Sequence, residues 1–183
     1  MTPLHNRFIL DIPTPKLEGF FFDTRFEPLR NAPKKGTVRF VPRSVTDYIY
    51  DVPILIGDTV HHHHLATQPS FEIKYKGETL YWQEYNQLFA IEREGKFIPL
   101  EKYVFIEPIA ETVEDIKVND IFLKNKLGKV TQTGVIRYLS NYASHYFTVG
   151  DKVMYFKRAQ YELDFQGQTL FKTRIDNLHF TCD

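Results

Sequence analysis

Hydrophobic and polar positions alternate in short runs along this chain, and no run sustains a helical period. Arg7-Phe8-Ile9-Leu10-Asp11-Ile12 is an apolar run of strand length, ended by Pro13. Thr37 to Val41 predicts a second strand, and Gly57-Asp58 is a turn signal feeding a third through Val60. Phe71-Glu72-Ile73-Lys74-Tyr75 alternates apolar with polar, turns at Lys76-Gly77-Glu78 and returns through Thr79-Leu80-Tyr81-Trp82, which predicts a hairpin. Leu88-Phe89-Ala90-Ile91 closes the set, and Tyr103-Val104-Phe105-Ile106 opens another. Only Ala110 to Val118, with Glu111, Glu114 and Asp115, has the composition of a helix start. The expected fold class is all-β.

Two stretches break the pattern. Pro13, Pro15, Pro28 and Pro33 each lack a backbone donor and bias the preceding residue away from helix, so neither a helix nor a central strand runs through them. The 23 residues from Pro13 to Lys35 therefore read as a long loop, with Gly19-Phe20-Phe21-Phe22 at its centre. Loops beyond about 12 to 15 residues in a compact domain are usually functional or disordered. A buried three-residue strand is the competing reading of the phenylalanine triplet. A second weakly patterned stretch, Ala110 to Thr133, carries Asp120-Ile121-Phe122-Leu123-Lys124 near its middle.

The two stretches belong to a duplication. The triplets are offset by 101 residues, Gly36-Thr37-Val38 and Gly134-Val135-Ile136 by 98, Gly57-Asp58 and Gly150-Asp151 by 93. Tyr75-Lys76-Gly77-Glu78-Thr79-Leu80-Tyr81 and Phe165-Gln166-Gly167-Gln168-Thr169-Leu170-Phe171 are offset by 90. Matches in unchanged order with a shrinking offset predict two copies of one unit, the second with shorter loops. The expected domains are residues 1–95 and 96–183, with Glu92-Arg93-Glu94-Gly95-Lys96 as the polar joint. Short strands with Gly-containing turns, twice, predict two small β-barrels or sandwiches.

Composition narrows the function. Lys plus Arg and Asp plus Glu both number 23, so no electrostatic case exists for a nucleic-acid or membrane partner, and a protein partner is expected. The one cysteine, Cys182, excludes an intramolecular disulfide. No apolar run has the length of a signal core or a spanning helix, which predicts a soluble, cytoplasmic protein. There is no dinucleotide fingerprint, phosphate loop or recognisable Ser/His/Asp spacing, so neither an enzyme nor a cofactor is expected.

Pro3-Leu4-His5-Asn6-Arg7-Phe8-Ile9-Leu10 resembles the Pro-Leu-X-Asp-Arg-Val opening of the GroES-type co-chaperonins, the ring lids of GroEL-type chaperonins. The family's mobile loop carries Gly-Gly and an aliphatic tripeptide, which Glu18-Gly19-Phe20-Phe21-Phe22 and Asn119-Asp120-Ile121-Phe122-Leu123 resemble. Its Val-Gly-Asp-X-Val is similar to Ile56-Gly57-Asp58-Thr59-Val60 and Val149-Gly150-Asp151-Lys152-Val153. Covalent duplication is similar to the tandem co-chaperonins of chloroplasts, and divergent loops also occur in phage-encoded lids. The resemblance implies two GroES-like β-barrels, a GroEL-type chaperonin and a ring of further copies as partners, and assistance to protein folding. It implies chaperonin binding by Gly19, Phe20, Phe21, Phe22, Ile121, Phe122 and Leu123. A β-rich structural or adaptor protein, such as a component of a virion, is the alternative.

His61-His62-His63-His64 is the one run with metal-ligand character. On a strand, alternation would let His61 and His63 share a metal, but no Cys, Asp or Glu follows nearby and the second copy has Met154-Tyr155-Phe156-Lys157. No metal is expected, and a pH-sensitive surface or ring contact is the preferred reading.

Overall fold

The computed structural model describes residues 2–3, 5–13, 33–45, 52–109, 116–118, 121–123, 131–156 and 161–182. These residues are all-β, with only short 3-10 turns besides the strands. The chain divides into units Met1–Glu101 and Lys102–Asp183.

The first unit holds β1 (Arg7–Asp11), β2 (Lys35–Phe40), β3 (Thr59–His62), β4 (Glu72–Tyr75), β5 (Glu78–Glu84), β6 (Leu88–Arg93) and β7 (Lys96–Pro99). The second holds β8 (Tyr103–Pro108), β9 (Ile116–Val118), β10 (Ile121–Leu123), β11 (Thr131–Leu139), β12 (Lys152–Phe156), β13 (Tyr161–Phe165), β14 (Gln168–Arg174) and β15 (Leu178–Cys182). The first sheet runs β4-β5-β1-β2-β3-β6-β7 and the second β13-β14-β8-β11-β12-β15, with β9 and β10 forming a separate two-stranded ribbon. Apart from β7 and the ribbon, the two orders correspond strand for strand, so the duplication read from sequence is a duplication of topology.

The correspondence extends to single residues. Val38 N–H donates to the Asp58 carbonyl and Gly57 N–H to the Val38 carbonyl, both at 2.9 Å; Ile136, Asp151 and Gly150 repeat the pair at the same distances. A β-bulge leaves Arg39 as the extra residue between β1 and β2, and Arg137 as the extra residue between β8 and β11. Leu10 faces Val38 as Ile106 faces Ile136, which fixes the offset of the first strands at 96. The offset therefore rises to 98 across the first connection before it falls, and in this one place the second copy is the longer.

Two expectations change. The 92–96 segment is not a joint between domains. Glu94 and Gly95 have φ of 51° and 74°, a pair of positive values that makes a two-residue hairpin turn, and β7 folds back on β6. Residues 96–99 thus lie in the first sheet, and the division falls after Glu101. Nor is a closed barrel formed among the described residues: closure needs the end strands to pair, and β4 with β7, or β13 with β15, do not. Each unit is an antiparallel sheet with two ends.

Helix-start composition at 110–118 also loses to strand pairing where it can be seen, since Ile116–Val118 is β9; residues 110–115 lie outside the described ones. Each unit has its own core. Phe8, Leu10, Val38, Val60, Tyr81, Leu88 and Ile91 pack together in the first, and Val104, Ile106, Ile136, Val153 and Tyr155 in the second. Burial of Phe8, Ile9 and Leu10 in succession means that β1 is covered on both faces.

Candidate functional site

Both long connections leave and re-enter the fold at one place, between β1 and β2 and between β8 and β11. Glycine is required at each return. A Cβ on Gly134 would lie 2.6 Å from the Glu107 carbonyl oxygen, and one on Gly36 would lie 2.8 Å from Ile12 Cγ1 and 3.2 Å from the Asp11 carbonyl oxygen. Each bulged arginine then ties the departing strand to the returning one. Arg39 Nη1 donates to Asp11 at 2.9 Å and its Nη2 to Glu78 at 3.0 Å, while Arg137 pairs with Glu107. The hydrogen bond from Arg137, with a second from Gln168, holds the Glu107 carboxyl below its ordinary range. Gln168 stands where the first copy has Glu78.

Gly19, Phe20, Phe21 and Phe22 lie outside the described residues. Ile121, Phe122 and Leu123 are β10, paired antiparallel with β9 in the register Ile121 to Val118, Phe122 to Lys117 and Leu123 to Ile116. Expected in a loop, this triplet lies in a ribbon, because Ile116-Lys117-Val118 supplies a partner strand across a two-residue connection. By the pleat, Ile116, Val118, Ile121 and Leu123 hold positions on one face of the ribbon, and Lys117 and Phe122 on the other. Sequence reading passed over Ile116 and Val118; their alternation around Lys117 was the signal.

A second repeated feature is the Gly-Asp turn. Gly57 and Gly150 have φ of 94° and 103°, a conformation suited to glycine. Asp58 accepts the Leu55 N–H at 2.7 Å and the Arg93 guanidinium at 2.7 and 2.8 Å; Asp151 accepts the Thr148 N–H and hydroxyl, both at 2.8 Å. Burial pushes the Asp58 carboxyl up, but the hydrogen bonds from Arg93 and Leu55 and the Arg93 charge outweigh it and leave it lowered. The turn holds an apolar residue in solvent in each copy, Ile56 at 64% exposure and Val149 at 63%, with Leu55 and Tyr146 exposed beside them. Neither was singled out from sequence, where Ile56 and Val149 read simply as the first residue of the Gly-Asp motif.

The first two histidines of the run are both buried, at 1% and 0% exposure, so β3 is covered on both faces; the register with β6 shifts between them, leaving Phe89 as the extra residue on β6. His61 Nε2 lies 2.5 Å from Glu92 Oε1, which also accepts from Lys35 Nζ at 2.6 Å, and its ring meets Phe97 edge-on. His63 turns elsewhere: its Nδ1 accepts the Leu65 N–H, and its ring stacks on His64 with centroids 4.1 Å apart. The structure therefore does not bring His61 and His63 together as ligands, and among the described residues no group of three His, Cys, Asp or Glu is placed to hold a metal. The surface reading of the run also fails for His61 and His62, which are interior.

No helix among the described residues is long and apolar enough to cross a membrane. No protein-family model and no curated protein matches this chain.

Proposed function

We propose that this chain is a tandem co-chaperonin, which caps a GroEL-type chaperonin through the two apolar triplets and assists protein folding. The observation that carries the reading is the repeated placement of the triplets. Two sheets of corresponding order each spend their longest connection between the same two strands, and the sequence of each connection contains an apolar triplet and is followed by a Gly and a bulged Arg on the returning strand. Gly19, Phe20, Phe21 and Phe22 form one contact and Ile121, Phe122 and Leu123 the other. Burying one such side chain contributes about 1.5 to 3 kcal/mol, and ordering a loop opposes it at about 1 to 2 kcal/mol per residue. Single contacts are therefore weak, and several on one assembly supply affinity through effective concentration.

The first sheet suggests how copies would join. Pro99-Leu100 repeats Pro3-Leu4 at the offset of 96, and Lys96–Pro99 covers the outer edge of β6. The equivalent edge, that of β15, carries no strand among the described residues. In this reading residues 1–4 of another copy pair with β15, a head-to-tail contact that a rotation closes into a ring.

The test is co-purification with a GroEL-type chaperonin in the presence of nucleotide, before and after replacing Phe20, Phe21 and Phe22 with Ser. Nucleotide-dependent capture that the substitutions abolish supports the reading. Failure of the unmodified protein to be captured favours a β-rich structural or adaptor protein, an alternative that the strand pairing of Ile121–Leu123 keeps in view.

A further inference from the structure

We propose that the buried pair His61 and His62 makes the first unit an acid-sensitive module, which opens along β3 under mildly acidic conditions while the second unit stays folded. The inference is independent of the chaperonin reading. It starts from where a proton would have to go. His61 has its Nε2 occupied by Glu92, so protonation falls on Nδ1, which is buried without a hydrogen-bond partner among the described residues. His62 has its Nδ1 at 3.0 Å from the His63 carbonyl oxygen, so its proton falls on the buried Nε2, which faces the Lys35-Gly36 backbone, where hydrogen bonding to Lys35 offsets part of the burial cost without outweighing it. The added N–H⁺ on His61 would be a buried charge lacking an acceptor, that on His62 a buried charge with only a backbone one, and the two rings are adjacent in sequence.

The surroundings do not relieve this. From β2, Lys35 shares the Glu92 carboxylate and sets a like charge against His61; from β6, Glu92 is the one acid on it. From β7 the neighbour is the uncharged Phe97 ring. The following turn brings His63 and His64, and Lys34 stands near His64 with a like charge. Burial holds the His61 imidazole down to about 4, against the Glu92 hydrogen bond, and burial likewise lowers His62.

The sign follows from linkage. An unfolded histidine binds its proton at about 6.5, so below that value the opened state takes up protons that the folded one refuses, and stability falls until the folded value near 4. The carboxylates act elsewhere: Asp58 and Glu92 are held below their ordinary 3.8 and 4.5, so what they contribute is lost only at lower pH. From His61 alone the opening equilibrium shifts roughly twentyfold between pH 7 and pH 5. In the second unit the matching residues are Met154 and Tyr155, and neither takes up a proton in this range.

Amide exchange of the full chain at pH 7.5 and pH 5.0, corrected for intrinsic rates, tests this with β12 as internal reference. Protection of β3 and β6 should fall by at least tenfold at pH 5.0 relative to β12, and in the H61M/H62Y chain, which carries the second unit's residues, the fall should vanish. Equal protection of β3 at the two pH values, or an unchanged fall in the double variant, overturns the proposal. Should the double variant not fold, histidine ring titration by NMR of the unmodified protein decides: two rings that stay neutral to pH 5 support it, and titration of all rings near 6.5 overturns it.

Discussion

In the first unit the Arg7 guanidinium lies 4.5 Å from the centre of the Trp82 ring; at the matching place in the second, the Lys172 ammonium lies 4.8 Å from the Tyr103 ring. Cation and ring have changed strands, and the contact remains. Phe89 and His63 meet edge-on in one copy, and His179 and Phe156 in the other, again with partners exchanged. Such pairs were illegible in the sequence, because aligning the copies matches unlike residues, and only the strand register reveals that they touch. The two glycines were legible as motif positions but their unequal constraint was not. A Cβ on Gly134 would clash with Ile106 Cγ2 and lie 2.6 Å from the Glu107 carbonyl oxygen, closer than one on Gly36 would meet Ile12 at 2.8 Å and the Asp11 carbonyl oxygen at 3.2 Å, so Gly134→Ala should cost about 1 to 3 kcal/mol and Gly36→Ala less, measured by denaturant unfolding. Asp58→Ala should destabilise its unit by about 2 to 4 kcal/mol, and Asp151→Ala by less, since the bonds of Asp151 are exposed to solvent.

Strand existence was readable at the scale of the element, and strand partnership was not. Alternation around Lys76-Gly77 announced the β4–β5 hairpin, and the positive φ of Lys76 and Gly77 is its cause. The same chemistry at Glu94-Gly95 was read as a linker because its polar residues match a joint equally well; only the pairing of Phe97 with Glu92 distinguishes the two. Ile116 to Leu123 was obscured in a similar way, by acidic residues before it that suit a helix start. An isolated two-stranded ribbon is marginal in water. Amides of β9 and β10 should therefore exchange at least tenfold faster than those of β8 and β11, and protection equal to the main sheet would mean that the ribbon is held by contacts beyond its own pairing. Replacing Ile121 and Leu123 with Ser should leave the unfolding transition of the second unit unchanged while weakening partner capture.

For the molecule as a whole, duplication was the most legible feature, because four short motifs in fixed order leave little else to infer. Its consequences for assembly were not, since they depend on which sheet edges are covered. β7 covers the edge of β6, and the corresponding edge of β15 is where another copy is proposed to add its first residues. Native mass spectrometry should accordingly give a closed oligomer, and deletion of residues 1–4 should reduce it to single chains without unfolding either sheet. The most direct measurement of the central claim is complex formation with a GroEL-type chaperonin, followed by size-exclusion chromatography with and without nucleotide. The account predicts nucleotide-dependent co-elution that is lost when Phe20, Phe21 and Phe22 become Ser. Absence of co-elution by the unmodified, folded protein under both conditions would contradict it.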